Sequence, residues 1–206
     1  MPHPPQDLQF RDHALQTFLD HVASKTPTPG GGSVAAVAGA MAAGLVAMTA
    51  RLSSTRLMDA PTITAEADRL REIALRLADH DAIAYQDVLA ARSLPEGTDL
   101  DHRRHRLREA LARAADVPLE LAGVAARIAG LSIRLLEEGN PSVQGDVFTA
   151  ALLAVAVIRA ATMLTEINVN VGVLGGDRML QAARYRATAA ELERRIGRLE
   201  GRSEGS

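Results

Sequence analysis

The sequence predicts an all-α protein, a multi-helix bundle around one apolar, alanine- and glycine-rich central helix. Alanine, leucine, arginine and glutamate fill long stretches at helical spacing, whereas β-branched residues are sparse and rarely alternate with polar ones. Aromatic residues make up only 2% of the chain, so the core must consist mainly of small and aliphatic side chains, which let helices approach closely. We expect a single helical domain over residues 1–206, with flexible tails at 1–6 and 201–206.

The central helix is predicted from the most apolar stretch of the chain. Prolines and three consecutive glycines in the segment 26–32 force a turn, and Ser33 then stands in the position of an N-cap. The fifteen residues 34–48 carry no polar side chain, so this helix has no face suited to water. It should therefore be covered on all sides.

Apolar residues at spacings of three and four predict one helix before the central helix and one after it. The first should begin at Asp7 or Asp12 and end near Ser24. The third should begin near Pro61, which suits a first helical turn, and run to about Ala91.

A fourth helix should follow the turn at 95–98 and begin at Asp99 or Asp101. Pro118 lies inside this helical pattern and predicts a kink or a break, because proline removes a backbone hydrogen bond. The glycine, asparagine and proline at 139–141 end the helix.

Asp146 is the candidate N-cap of a fifth helix, whose apolar run at 147–158 is the natural partner of the central helix. The segment 168–176 mixes glycines with β-branched residues and should be irregular or a helix end. A last helix is expected from Asp177 to about Leu199.

Composition argues against several classes of protein and site. The 23 basic and 25 acidic residues give a net charge of −2, which offers no electrostatic footprint for nucleic acid or anionic lipid. The chain has no cysteine, and its six histidines do not form a zinc-binding motif, so we expect no metal site. The fifteen-residue apolar run is shorter than the roughly 20 residues that cross a membrane. No signal sequence is recognisable at the start, so we expect a cytoplasmic protein.

The glycine turn is the first candidate binding element. Glycines let a ligand touch the backbone, and free amides at a helix N-terminus attract anionic or acceptor-rich groups. The run matches neither the phosphate-binding loop nor the dinucleotide-binding fingerprint. From chemistry alone, a tight entry turn explains it as well as a ligand loop does.

Asp81 is the best candidate for an acid or base. It precedes Tyr85 by four residues, so both share one helix face, whereas Asp79 points elsewhere. Burial beside alanine and isoleucine would raise its pKa toward a catalytic value. A surface role is the alternative for Asp81, as an N-cap is for Asp146 and a turn residue is for Asn140.

The motifs together resemble the cyclodeaminase/cyclohydrolase family. This family contains the C-terminal domain of formiminotransferase-cyclodeaminase and the stand-alone methenyltetrahydrofolate cyclohydrolases. The resemblance covers nearly the whole chain. The residues that carry it are Thr28-Pro29-Gly30-Gly31-Gly32-Ser33-Val34-Ala35-Ala36, Met48, Asp81 with Ala84-Tyr85, Val117-Pro118-Leu119, and Gly139-Asn140 with Asp146.

The resemblance implies an all-helical homodimer that binds a tetrahydrofolate derivative as substrate, near the glycine turn and partly at the subunit interface, without a prosthetic group or metal. Asp81 is implied as general acid/base, and Asp146 as the group that orients or neutralises the cationic ring. The implied substrate-binding residues are Pro29, Gly30, Gly31, Gly32, Ser33, Arg56, Tyr85 and Asn140.

Hydrolysis of 5,10-methenyltetrahydrofolate to 10-formyltetrahydrofolate is the reaction that we expect, because the 206 residues include no formiminotransferase domain. The first alternative is a cyclodeaminase that releases ammonia from 5-formiminotetrahydrofolate. The second is a non-catalytic helical dimer that binds a folate-like ligand or another protein. Two departures from the family pattern favour this last alternative: only one base, Arg56, in the segment 54–57, and a run at 164–168 that keeps only its second half.

Overall fold

In the computed structural model, which describes residues 9–95 and 97–203 and their side chains up to residue 201, the chain is helical apart from short connections. Two short 3-10 turns, at Phe10–Asp12 and Pro141–Val143, precede the first and fifth α-helices. The α-helices of the described residues are α1 (Leu15–Val22), α2 (Gly31–Arg51), α3 (Ala60–Arg92), α4 (Leu100–Glu138), α5 (Gln144–Gly172) and α6 (Asp177–Ser203). The predicted all-helical fold is confirmed.

Helix α2 lies at the centre of the bundle, as predicted. It packs against α3, α4 and α5. A Cβ atom on Gly39 would lie 3.7–3.8 Å from Leu121 of α4, Ala74 of α3 and Val157 of α5, so three helices meet at this one position. Small residues on α2 therefore let its neighbours come close.

One face of α2 is not covered within a single chain, contrary to the prediction. Val34, Met41 and Met48 lie seven residues apart on this face and are 37–51% exposed. The segments Gly31–Arg51 and Pro141–Gly172 are long and apolar enough to cross a membrane, yet 61% and 50% of their apolar windows are buried in the bundle. Core helices of soluble proteins meet the same criterion, so length and composition do not decide the matter.

Helices α2 to α5 alternate in direction, so the bundle has two ends. At one end, which we call the glycine end, the first turn of α2 meets the second half of α3, where Ser33 Oγ donates to Ala78 O. At the opposite end, Asn140 after α4 donates through Nδ2 to Leu52 O after α2. The 21 residues of α2 span about 30 Å, which separates the two ends.

The predicted starts of α1 and α2 are wrong. Helix α1 begins only after a separate 3-10 turn that contains Asp12, and Asp7 lies outside the described residues. Helix α2 begins at Gly31, with Gly30 as its N-cap residue. Ser33 lies inside the first turn and forms no cap, because its hydroxyl donates to Ala78 O of the neighbouring helix α3 and accepts from no amide of its own first turn.

Helix α4 is capped by Asp99, as predicted, but it runs through Pro118 without the break that the sequence allowed. Because proline has no N–H, the carbonyl of Ala114, four residues earlier, loses its usual helical partner. Asn168 of α5 donates to that carbonyl through Nδ2 at 2.8 Å. A side chain from the neighbouring helix thus replaces the missing backbone bond.

Helix α5 packs against both α2 and α4, so the predicted pairing with the central helix is confirmed. Asp146 lies in its first turn and is not the N-cap, because the helix starts earlier, after Val143. The segment 168–176 is helical to Gly172, where Val173 adopts a left-handed conformation and ends the helix. Helix α6 extends to Ser203 and so enters the predicted tail, while residues 1–6 and 204–206 lie outside the described ranges.

Candidate functional site

A cleft of about 320 Å³ at the glycine end brings the glycine turn and Asp81 together. Four parts of the chain form its wall. The lining residues are Pro27, Thr28, Gly30, Gly31 and Gly32 from the turn and α2, Asp81 and Tyr85 from α3, Ala114 from α4, and Leu164, Ile167 and Asn168 from α5. The predicted grouping of Asp81 and Tyr85 on one face of α3 is thus present in the structure.

The carboxyl group of Asp81 lies directly against the first turn of α2. A Cβ atom on Gly32 would overlap the carboxyl group of Asp81, so a larger residue fits there only if that carboxyl or the turn moves. Ser33 Oγ lies 3.1 Å from Asp81 Oδ2 and can donate to it. Because the N-terminus of a helix is its positive end, Asp81 takes the place that a capping acid would have, although it belongs to another helix.

Burial raises the pKa of Asp81 above its ordinary value, and hydrogen bonds from the side chain and backbone of Ser33 oppose that rise. In the described part of the chain, no arginine, lysine or histidine forms an ion pair with this carboxyl. A carboxyl with a raised pKa at the wall of a cleft is suited to giving and taking a proton.

Ser33 lies behind Asp81 and does not line the cleft. It is fully buried, and its Oγ is 2.9 Å from Ala78 O as well as 3.1 Å from Asp81 Oδ2. A hydroxyl carries one proton, so it can donate to Asp81 when the carboxyl is ionised and to Ala78 O when the carboxyl is protonated. Ser33 is therefore placed to act on Asp81, while the contact with substrate that the resemblance implies for it stays a prediction.

Pro29 is also buried and does not line the cleft, whereas its neighbours Thr28 and Gly30 do. Asp79 is buried too, but it faces away from the cleft. Its Oδ1 accepts from Phe10 N–H at 2.8 Å and so fixes the 3-10 turn before α1 against α3.

Arg56, Asn140 and Asp146 lie at the opposite end of the bundle. Asn140 is held there by its bond to Leu52 O and by accepting from Ser142 N–H. Asp146 lies near the start of α5, about 33 Å along that helix from Asn168 in the cleft. Within one chain, none of these three side chains can reach Asp81.

Sequence reasoning missed the contribution of α4 and α5 to the cleft. Leu164 and Ile167 supply an apolar wall, and Asn168 supplies an amide. Two signals were available: the run at 164–168, which the family pattern had singled out, and Pro118, because a proline inside a helix leaves a carbonyl without its backbone donor. Among the described residues, no group of three or more histidine, aspartate or glutamate side chains is placed to hold a metal ion.

Comparison with known proteins gives one consistent result. A sequence profile described as formiminotransferase-cyclodeaminase matches residues 14–172. The chain is 34% identical to the methenyltetrahydrofolate cyclohydrolase of Methylorubrum extorquens, over 76% of this chain and 79% of that one. It is 33% identical to the formimidoyltransferase-cyclodeaminase of Rattus norvegicus over 68% of this chain, and the matched part is 27% of the rat protein.

Among solved structures, the formiminotetrahydrofolate cyclodeaminase of Thermotoga maritima superposes with a TM-score of 0.82. That protein is 27% identical, and the alignment covers 93% of this chain and 98% of the other. The profile, the relatives and the fold agree with the resemblance that the motifs carry. The chain belongs to the formiminotransferase-cyclodeaminase family.

Proposed function

We propose that this protein hydrolyses 5,10-methenyltetrahydrofolate to 10-formyltetrahydrofolate. The observation that carries the proposal is the meeting of Asp81 with the amide-rich start of α2 in one cleft. The sequence similarity to a methenyltetrahydrofolate cyclohydrolase over most of both chains supports it.

The reaction adds water to the cationic carbon between N5 and N10 and then breaks the bond from that carbon to N5. In the proposed mechanism, Asp81 takes a proton from the attacking water and gives it to N5 as the bond breaks. The remaining hydroxyl proton leaves to solvent as the formyl carbonyl forms. Binding of the cationic ring would favour the ionised form of Asp81, which in turn offsets the positive charge.

The backbone of the glycine turn would position the ring. The first turn of a helix leaves N–H groups without intrahelical acceptors, and those of Gly31 and Gly32 are at the cleft. Such donors at the positive end of α2 suit the carbonyl oxygen of a pterin or the oxygen of the formyl product. Tyr85, which is partly exposed at the cleft, offers a ring face.

Cyclodeamination of 5-formiminotetrahydrofolate is the second candidate. The solved structure from Thermotoga maritima is named a formiminotetrahydrofolate cyclodeaminase, and the name of the rat relative also includes cyclodeaminase. The same site serves both reactions chemically, because each passes through a tetrahedral carbon bonded to N5 and needs a proton at nitrogen.

The test follows the loss of the methenyltetrahydrofolate absorbance against the rate of spontaneous hydrolysis. We expect acceleration by the wild-type protein and little or none by Asp81→Asn. Ammonia release from 5-formiminotetrahydrofolate distinguishes the cyclodeaminase. If the protein accelerates neither reaction, it is a non-catalytic member of the family.

We propose further that the protein is a homodimer whose sites combine both chains. The exposed stripe of Val34, Met41 and Met48 on α2 is self-complementary about Met41, so two α2 helices can pair antiparallel along it. That pairing would bring the opposite end of one chain beside the glycine end of the other. It would place Asp146 of the second copy near Asp81 of the first, although the two residues of a single chain lie at opposite ends of the bundle.

A further inference from the structure

The side chain of Asn168 is held in the cleft because it replaces a missing backbone hydrogen bond of helix α4. Pro118 leaves the carbonyl of Ala114 without a backbone donor, and Asn168 Nδ2 donates to it at 2.8 Å. Both Ala114 and Asn168 line the cleft that contains Asp81. The amide is therefore fixed at the wall of the cleft by a hydrogen bond within the protein.

This bond also decides which way the amide faces. The NH₂ group points at Ala114 O, so Oδ1, which is the other branch of the planar amide, points away from that carbonyl. In the part of the chain that the structure describes, no group donates a hydrogen bond to Asn168 Oδ1. Oδ1 is thus an oriented acceptor whose partner must be solvent or a ligand.

We propose that Asn168 recognises an N–H group on the edge of the reduced pterin ring. The inference rests on the proposed function and names a binding contact within its site. A reduced pterin carries N–H donors as well as a carbonyl, so it needs acceptors in addition to the amides of Gly31 and Gly32. Asn168 provides the acceptor, and Leu164 and Ile167 provide the apolar surface beside it. A pocket with this pairing rejects rings that lack the N–H, because Oδ1 would be left unpaired.

The competing explanation is that Asn168 only satisfies the carbonyl of Ala114. Pro118→Ala separates the two roles, since it restores the backbone N–H that this carbonyl lacks. A purely structural loss in Asn168→Ala should then be rescued in the double variant Pro118→Ala/Asn168→Ala, whereas a lost ligand contact should not.

The experiment compares Asn168→Ala, Pro118→Ala, the double variant and the control Thr165→Ala. Thr165 is a control on the same helix because it is buried and does not line the cleft, and its Oγ1 lies 3.0 Å from Ala161 O and 3.4 Å from the next carbonyl of α4, Ala115 O. Each variant is melted and assayed with two halves of the substrate as inhibitors. 6-Methyltetrahydropterin represents the ring, and p-aminobenzoylglutamate represents the tail.

We expect Asn168→Ala to weaken inhibition by 6-methyltetrahydropterin roughly tenfold, as the loss of one oriented hydrogen bond does, with little change for p-aminobenzoylglutamate. The double variant should bind 6-methyltetrahydropterin more weakly than Pro118→Ala does. Its melting temperature should nevertheless recover from that of Asn168→Ala. Equal weakening of both inhibitors, or recovery of the ring inhibitor in the double variant, would overturn the proposal. If the wild-type protein hydrolyses no methenyltetrahydrofolate, the proposed function fails, and calorimetric binding of 6-methyltetrahydropterin to the same variants still tests Asn168.

Discussion

The ionised form of Asp81 is poorly stabilised in the folded protein. Its carboxyl is buried enough to raise its pKa, and its hydrogen-bond donors come from Ser33 rather than from a cation. The folded protein therefore binds a proton at Asp81 more tightly than the unfolded chain does. It follows that the contribution of Asp81 to stability falls as pH rises from the unfolded pKa through the higher folded one.

Asp81→Asn should consequently separate activity from stability. Asparagine keeps the shape and can still accept from Ser33, but it cannot ionise or carry a proton. We expect hydrolysis to fall by about 10²–10⁴-fold, as for loss of a general acid or base. At pH 8 the variant should melt above the wild type, and the difference should shrink as pH falls through the raised pKa of Asp81, below which both side chains are neutral. A variant that melts lower than the wild type at pH 8 by the same margin as at pH 4 would contradict this view of Asp81.

Ser33→Ala should change the pH dependence of the reaction. Donation from Ser33 Oγ favours the ionised carboxyl, so removing the hydroxyl raises the pKa of Asp81 further. The acid limb of the kcat/KM profile should then move to higher pH, with a larger loss of activity at pH 6 than at pH 8. Ser132→Ala is the matched control, since Ser132 is equally buried and donates to Ile128 O at 3.0 Å far from Asp81. The same displacement in both variants would show a general loss of stability instead.

At the scale of helices, the contact between α2 and α3 depends on one missing side chain. The first turn of α2 approaches α3 so closely that a Cβ atom on Gly32 would overlap the carboxyl of Asp81, whereas one on Gly31 would meet nothing within 4 Å. Two adjacent glycines in the same turn therefore have different functions. Gly32 allows the helices to meet, and Gly31 opens the backbone to the cleft.

Gly32→Ala should displace Asp81 and destabilise the protein. The methyl group would push the carboxyl or the whole turn away, so activity should fall. The free energy of unfolding should fall by an amount typical of overpacking, about 1–3 kcal/mol, and the melting temperature should fall with it. Gly31→Ala serves as the control for stability alone and should melt at or above the wild-type temperature, because alanine is the better helix former. Thermal unfolding of the two variants is the measurement. Equal melting temperatures would mean that the first turn of α2 accommodates the methyl group at position 32 without loss of stability.

The helices also show which features of this fold can be predicted from the sequence. Periodicity predicted the long helices, and Asp99 began α4 as expected, whereas the caps predicted at Ser33 and Asp146 were wrong. The missing cap at Ser33 and the missing break at Pro118 share one cause, which is that another helix supplies the partner. Asp81 takes the place of a cap on α2, and Asn168 satisfies the carbonyl that Pro118 leaves free. Local pattern rules describe one segment at a time, so they cannot identify partners that come from distant segments.

In the whole molecule, the predicted site residues fall into two groups about 30 Å apart. The glycine turn, Asp81 and Tyr85 surround the cleft, and Arg56, Asn140 and Asp146 lie at the opposite end. The exposed face of α2 carries Val34, Met41 and Met48, and helix α5 also has exposed apolar side chains, including Leu152 and Met163. Burying this face against a second copy would remove apolar surface from water and bring the two groups together.

Pairs of inactivated chains test this arrangement directly. If Asp81 and Asp146 of one site come from different chains, a purified heterodimer of Asp81→Asn with Asp146→Asn contains one intact site and should have about half of the wild-type activity. The reciprocal heterodimer, wild type with the double variant Asp81→Asn/Asp146→Asn, should then be inactive because each of its sites lacks one acid. A site built within one chain predicts the opposite result for both heterodimers. Different affinity tags on two coexpressed chains isolate each pair, and an active Asp146→Asn homodimer would remove Asp146 from the chemistry altogether.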